Sequence, residues 1–136
     1  MNLPPGTSIA NPIDAPVATL QQDQGGVANA ILQVIYEAAA ADAVVVHVNL
    51  AAFVGRGDID PVDKLIAAVV AVHRLHAGAS HLVIVLRVDG SPELDERRRR
   101  FRQQALEQRI PVYDELVEAA DALGAVSFVE HHRASA

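Results

Sequence analysis

The chain has 136 residues, 51% of them hydrophobic and 21% charged, with a formal net charge of −6. That balance describes one ordinary soluble globular domain with a real core, and it excludes a disordered chain. The acidic balance argues against a nucleic-acid surface. There is no cysteine, so disulfides, thiolate metal sites and a cysteine nucleophile are excluded, and a cytoplasmic setting is expected. The longest apolar run, residues 65–72, is far short of the about 20 residues a bilayer requires, and residues 1–5 lack a signal-peptide pattern. No membrane association is expected.

Residues 1–24 hold Pro4, Pro5, Pro12 and Pro16 and read as an extended entry segment. Residues 7–10 could form a short strand there, with Ile13 as its anchor to a core. The domain proper is expected over residues 25–136. Residues 25–41 are predicted helical, because Val27, Ile31, Val34, Ile35 and Ala38 fall on one face.

Ala43-Val44-Val45-Val46-His47-Val48-Asn49 is β-branched and nearly all apolar, the pattern of a strand buried on both faces. A loop over residues 50–60 follows, with Gly55 and Gly57. Asp60, Pro61 and Asp63 then start a helix whose apolar stripe is Val62, Leu65, Ile66, Val69, Val72 and His73, with Gly78 placed to end it.

Residues 81–88 repeat the buried-strand pattern. Ser91 as cap and Pro92 at the first position predict a helix over 92–108 with a narrow seam of Leu94, Phe101 and Ala105. Residues 110–113 allow only an edge-like strand. Asp114 is expected to cap a last helix with Leu116, Val117, Ala120 and Leu123 facing inward, and Gly124 is a candidate break before a frayed tail. Strands alternating with helices predict a parallel open α/β sheet covered on both faces, with one sheet edge poorly protected.

Candidate chemistry is sparse. No Walker-type or dinucleotide-binding glycine motif occurs. Gly55-Arg56-Gly57-Asp58 places a flexible turn and one cation before a helix start, but Asp58, Asp60 and Asp63 oppose phosphate there. His73 and His76 have a spacing compatible with two metal ligands, without a third; packed or rim histidines are the plainer reading. His47, on a buried strand, would need a local partner. Arg97 to Arg100 and Arg102 follow Glu93, Asp95 and Glu96 at helical i,i+4 spacing, which predicts a solvated, self-paired face worth a few tenths of a kcal/mol per pair. Docking to an acidic partner is the alternative for that face.

Several stretches, in order, resemble one family. Asn11-Pro12-Ile13-Asp14 is similar to the "NPxD" segment of NDP-forming acyl-CoA synthetases, the ADP-forming acetyl-CoA synthetase family. Asp42-Ala43-Val44-Val45-Val46 is similar to its "DAVLV" strand. Gln108-Arg109-Ile110-Pro111-Val112-Tyr113-Asp114-Glu115-Leu116-Val117-Glu118-Ala119 looks like its "aGIPvy-(t)pe-a-v-A" element. Leu86-Arg87-Val88-Asp89-Gly90 is similar to the "RLEG" segment of the succinyl-CoA synthetase β subunit. The resemblance spans roughly residues 3 to 132.

It implies a flavodoxin-like, three-layer ligase-CoA domain that is incomplete, with its first βα unit missing. It also implies a segment of an enzyme joining an acid to CoA at the expense of a nucleoside triphosphate, not catalytic alone. CoA and ATP/ADP with Mg would belong to the intact enzyme. The partners implied are its CoA-binding, phosphohistidine and ATP-grasp parts, and self-association is a further possibility. The family's phosphohistidine context is not matched by Ser80-His81-Leu82, so that role is not transferred, and no catalytic or metal-ligating residue is assigned. Asn11, Asp14, Gly55, Arg56, Gly57 and Asp58 are the family-motif or contact candidates. A rival reading is a stand-alone interaction or regulatory module that kept the fold without the chemistry. A third is a small-ligand binder at the 50–60 loop.

Overall fold

The structure, a computed structural model, describes residues 8, 10–20, 26–38, 41–53 and 61–135. Its elements are α1 (Val17–Leu20), α2 (Gly26–Ala38), β1 (Ala43–Asn49), a 3-10 turn (Leu50–Ala52), α3 (Pro61–Leu75), β2 (His81–Arg87), α4 (Pro92–Glu107), β3 (Val112–Tyr113) and α5 (Leu116–Ala134). The three strands form one parallel sheet in the order β1-β2-β3. Register runs without a bulge from Ala43 opposite His81 to Asn49 opposite Arg87. The expected mixed α/β architecture with an open parallel sheet is therefore present.

The two sheet faces are unequal. Val44, Val48, Leu82, Ile84 and Leu86 pack against α2, α3 and α4 in the main core, which also holds Phe101 and Ile110. The opposite face of β2, Val83 and Val85, meets α5 through Ala119, with Tyr113 and Leu123 alongside. β2 is buried on both faces, as its continuous apolar run predicts. β1 is not. Val45 lies beside Val83 and His47 beside Val85, so both belong to the α5 face, yet Val45 is 42% exposed and His47 is exposed. One helix, about 10 Å across, covers about two strands spaced 4.8 Å, and α5 is taken up by β2 and β3. This corrects the expectation of a β1 buried on both faces and removes the need for a His47 partner.

The entry segment differs from an extended stretch. α1 makes one helical turn, Val17 packs against the core and Thr19 is buried, while Ile13 is 41% exposed and anchors nothing. Of the strand expected over 7–10, residues 7 and 9 lie outside the described residues, and Ser8 makes an isolated antiparallel bridge to Asp14, with backbone bonds of 2.9 and 3.3 Å.

α5 also departs from its pattern. Gly124 does not break it: the helix runs through to Ala134, and a Cβ on Gly124 would meet nothing within 4 Å. Leu116 and Val117 are 51% and 64% exposed and Ala120 is exposed, whereas Ala119 and Leu123 face the sheet. At 1.5 Å per residue its 19 residues exceed the length of the seven-residue β2, so its last turns overrun the sheet. There His131 and His132 bond the Ser127 and Phe128 carbonyls through Nδ1, both at 2.8 Å, and the tail stays helical.

Caps differ too. Asp114 does not cap α5; Arg98 and Arg102 hold its carboxylate, the former at 3.2 Å. The cap position is Glu115, and the Glu118 carboxylate reaches back to accept the N–H groups of Asp114 and Glu115 at 3.1 and 3.3 Å. Ser91 precedes α4 as expected, but its side chain makes no capping bond.

Candidate functional site

In open α/β sheets, ligands and partners meet the chain beyond the carboxyl ends of the strands. Here that edge is built from Asn49 and Arg87, which are direct register partners and both exposed on the α5 side. Beyond β1 the chain turns at once into the 3-10 segment, where Leu50 and Phe53 are 2% and 5% exposed and pin the turn to the core. A turn held by two buried apolar side chains is rigid at its root, unlike a glycine-rich phosphate loop.

Beyond β2, Val88-Asp89-Gly90-Ser91 leads into α4. Gly90 takes φ 87, a left-handed conformation in which a side chain is strained. The Asp89 carboxylate accepts the Ser91 N–H at 2.9 Å, and that bond holds its pKa below the usual carboxylate range. The edge thus presents a cation, an amide and an ionised carboxylate already engaged by backbone. It suits contact with a polar partner surface.

Of the residues singled out from sequence, Asn11 and Asp14 share one small loop closed by the Ser8–Asp14 bridge, and both are exposed. The peptide bond between Asn11 and Pro12 is cis. Gly55, Arg56, Gly57 and Asp58, with the cap candidate Asp60, lie outside the described residues. The signal for the Asn49–Arg87 pair was present in the two apolar runs, but only their register joins it.

The histidines settle into structural roles. The Tyr36 hydroxyl bonds His73 Nδ1 at 3.2 Å, and His76 stacks on the Tyr36 ring at 5.0 Å while its Nε2 meets Gln33 at 3.4 Å. Burial lowers the pKa of His73 and raises that of Tyr36. His81 pairs with Glu130 at 2.8 Å. No group of three metal-ligating side chains occurs among the described residues. Ser127 lies 3.4 Å from His131 Nδ1, but that nitrogen already bonds the Ser127 carbonyl on an exposed helix face, and nothing there orients a nucleophile.

The arginine-rich face of α4 is tied by ion pairs and hydrogen bonds within the chain. Asp95 pairs with Arg98 at 3.0 Å, Arg99 Nε bonds the Asp95 carbonyl at 3.3 Å, and Arg100 crosses to Asp63 on α3 at 3.6 Å. Among the described residues no helix is long and apolar enough to cross a membrane.

Comparison with protein-family models, curated proteins and solved structures finds no match.

Proposed function

We propose that this chain is a flavodoxin-like ligase-CoA domain of an NDP-forming acyl-CoA synthetase, a part that is not catalytic on its own. The reading rests on the ordered resemblances over residues 3 to 132. One structural observation supports it above others: among the described residues β1 is an edge strand, and Val45 and His47 leave its α5-side face uncovered. A seven-residue, charge-free, proline-free edge without a bulge is a surface that native domains cover. A neighbouring part of a larger ligase would cover edge and face together.

In this reading the Asn49–Arg87 edge and the 50–60 loop face the catalytic centre, and CoA and ATP with Mg bind to the assembled enzyme, in the cytoplasm. The partners are the CoA-binding, phosphohistidine and ATP-grasp parts. The pairing of Arg98, Arg99, Arg100 and Arg102 within the chain weighs against the rival module that docks through this charged face.

The test is to isolate the chain from its native source with whatever accompanies it, covalently or not. That material is then assayed for ADP release from acid, CoA and ATP–Mg. We expect activity in the assembly, none in residues 1–136 alone, and loss of association on Val45→Lys. Recovery of the chain without any CoA-binding or phosphohistidine part would overturn the proposal.

A further inference from the structure

At the amino ends of β2 and β3, opposite the edge described above, the surface holds a cleft of about 320 Å³. Arg109 and His73 stand at its polar side, and Pro111, Val83, Leu123 and Val126 form an apolar wall. Such a volume is at the small end of ligand sites, and the lining mixes apolar residues with polar ones, Ser80, His81 and Tyr113 among them.

Arg109 is the unusual member. α4 ends in a Schellman motif: the Ile110 N–H bonds the Ala105 carbonyl at 3.0 Å and the Arg109 N–H bonds the Leu106 carbonyl at 2.8 Å. The residue enclosed by that motif takes a left-handed conformation and is normally glycine. Here it is arginine at φ 60, the one non-glycine residue with positive φ among those described. A strained non-glycine residue is kept where its side chain has a task. Yet among the described residues this guanidinium has no hydrogen bond or ion pair, unlike Arg74, which bonds Gln108, and Arg98 and Arg102, which hold Asp114.

A guanidinium fork matches a carboxylate with two parallel N–H···O bonds. His73 adds to the same side. The Tyr36 hydroxyl lies 3.2 Å from its Nδ1. His81, also in the lining, is engaged by Glu130 at 2.8 Å. The wall of Pro111, Val83, Leu123 and Val126 gives a short aliphatic tail an apolar surface to pack on.

We propose that this cleft binds a small aliphatic carboxylate, its head on Arg109 and its tail against Leu123 and Val126. This inference stands apart from the ligase reading, because it uses neither the carboxyl edge of the sheet nor the uncovered face of β1.

The test is an amide chemical-shift titration of the 136-residue chain with butyrate, inorganic phosphate and butylamine, repeated with Arg109→Gly and Arg109→Lys. We expect saturable shifts with butyrate in the millimolar range, confined to residues near 78–83, 109–113 and 122–126. Arg109→Gly should weaken that binding at least tenfold while the protein stays folded, because glycine suits the left-handed position. Arg109→Lys, which keeps charge but loses the fork, should fall between. Equal binding by Arg109→Gly, equal shifts with phosphate or butylamine, or no saturable shift with butyrate would each overturn the proposal.

Discussion

The backbone N–H of Ile110 reaches the carbonyl of Ala105 at 3.0 Å and encloses Arg109, at φ 60, in the turn between them. Both flanking residues are buried, at 1% exposure each, so the main core fixes the turn. The left-handed conformation costs an L-residue with a side chain about 1 kcal/mol relative to glycine. Arg109→Gly should therefore raise unfolding stability by about that amount. Arg109→Ala keeps the strained Cβ and should give no such gain. Urea denaturation of the three proteins checks both expectations, and an equal gain from alanine would show that the charge, not the backbone, sets the effect.

The two faces of the sheet predict opposite sensitivities to truncation. Phe101 is fully buried among residues of β2, α3 and α4, and Phe101→Ala should cost about 3–5 kcal/mol through lost burial and the cavity left behind. Val45 is 42% exposed on the bare side of β1, and Val45→Ala should stay within about 0.5 kcal/mol. Amide hydrogen exchange gives a second readout: β2, paired on both edges, should exchange more slowly than the outward amides of β1.

Asp114 ties α4 to the start of α5 by accepting Arg98 and Arg102. Its side chain is 37% exposed, so solvent screens both pairs, and Asp114→Asn should cost only about 1 kcal/mol or less. The loss should shrink further as salt is raised toward 1 M, where the screening length falls to about 3 Å. Glu118→Ala removes the acceptor for two backbone N–H groups and should cost about 1 kcal/mol with little salt dependence. Paired thermal melts at low and high salt separate the two.

Much of this fold was legible in the sequence because periodicity and punctuation agreed. The apolar run 43–49 is a strand over those same residues, 81–88 gives β2, and Ser91-Pro92 precedes α4 directly. What failed depended on partners that lie far off in sequence. Whether Val45 is buried depends on how many strands α5 can cover, which no local pattern records. Asp114 looked like a cap because aspartate before a helix usually is one, but Arg98 and Arg102, a dozen or more residues earlier, compete for its carboxylate. Gly124 read as a break from propensity alone, yet glycine in a helix costs only about 1 kcal/mol, and α5 runs through it. The Arg109 turn was not anticipated from the sequence, and its left-handed conformation needed the structure.

The last expectation concerns acid. Burial lowers the pKa of His73 below its ordinary value near 6.5, so between the folded and unfolded pKa values the unfolded chain binds more protons than the native one. Stability then rises with pH through that window. His73 weakens the fold least above the unfolded pKa, and the loss grows as pH falls toward and through the folded one. Tyr36, bonded to the ring, stays protonated because burial raises its pKa, so it adds no negative charge there. His73→Gln keeps an acceptor for the Tyr36 hydroxyl and removes the titration. Denaturant melts of both proteins from pH 8 down to pH 5 should show the wild type losing more stability than the variant, the gap opening below about pH 6.5. Parallel curves would mean that the ring is solvated in the folded protein and that the contact of Tyr36 with His73 carries no linkage to pH.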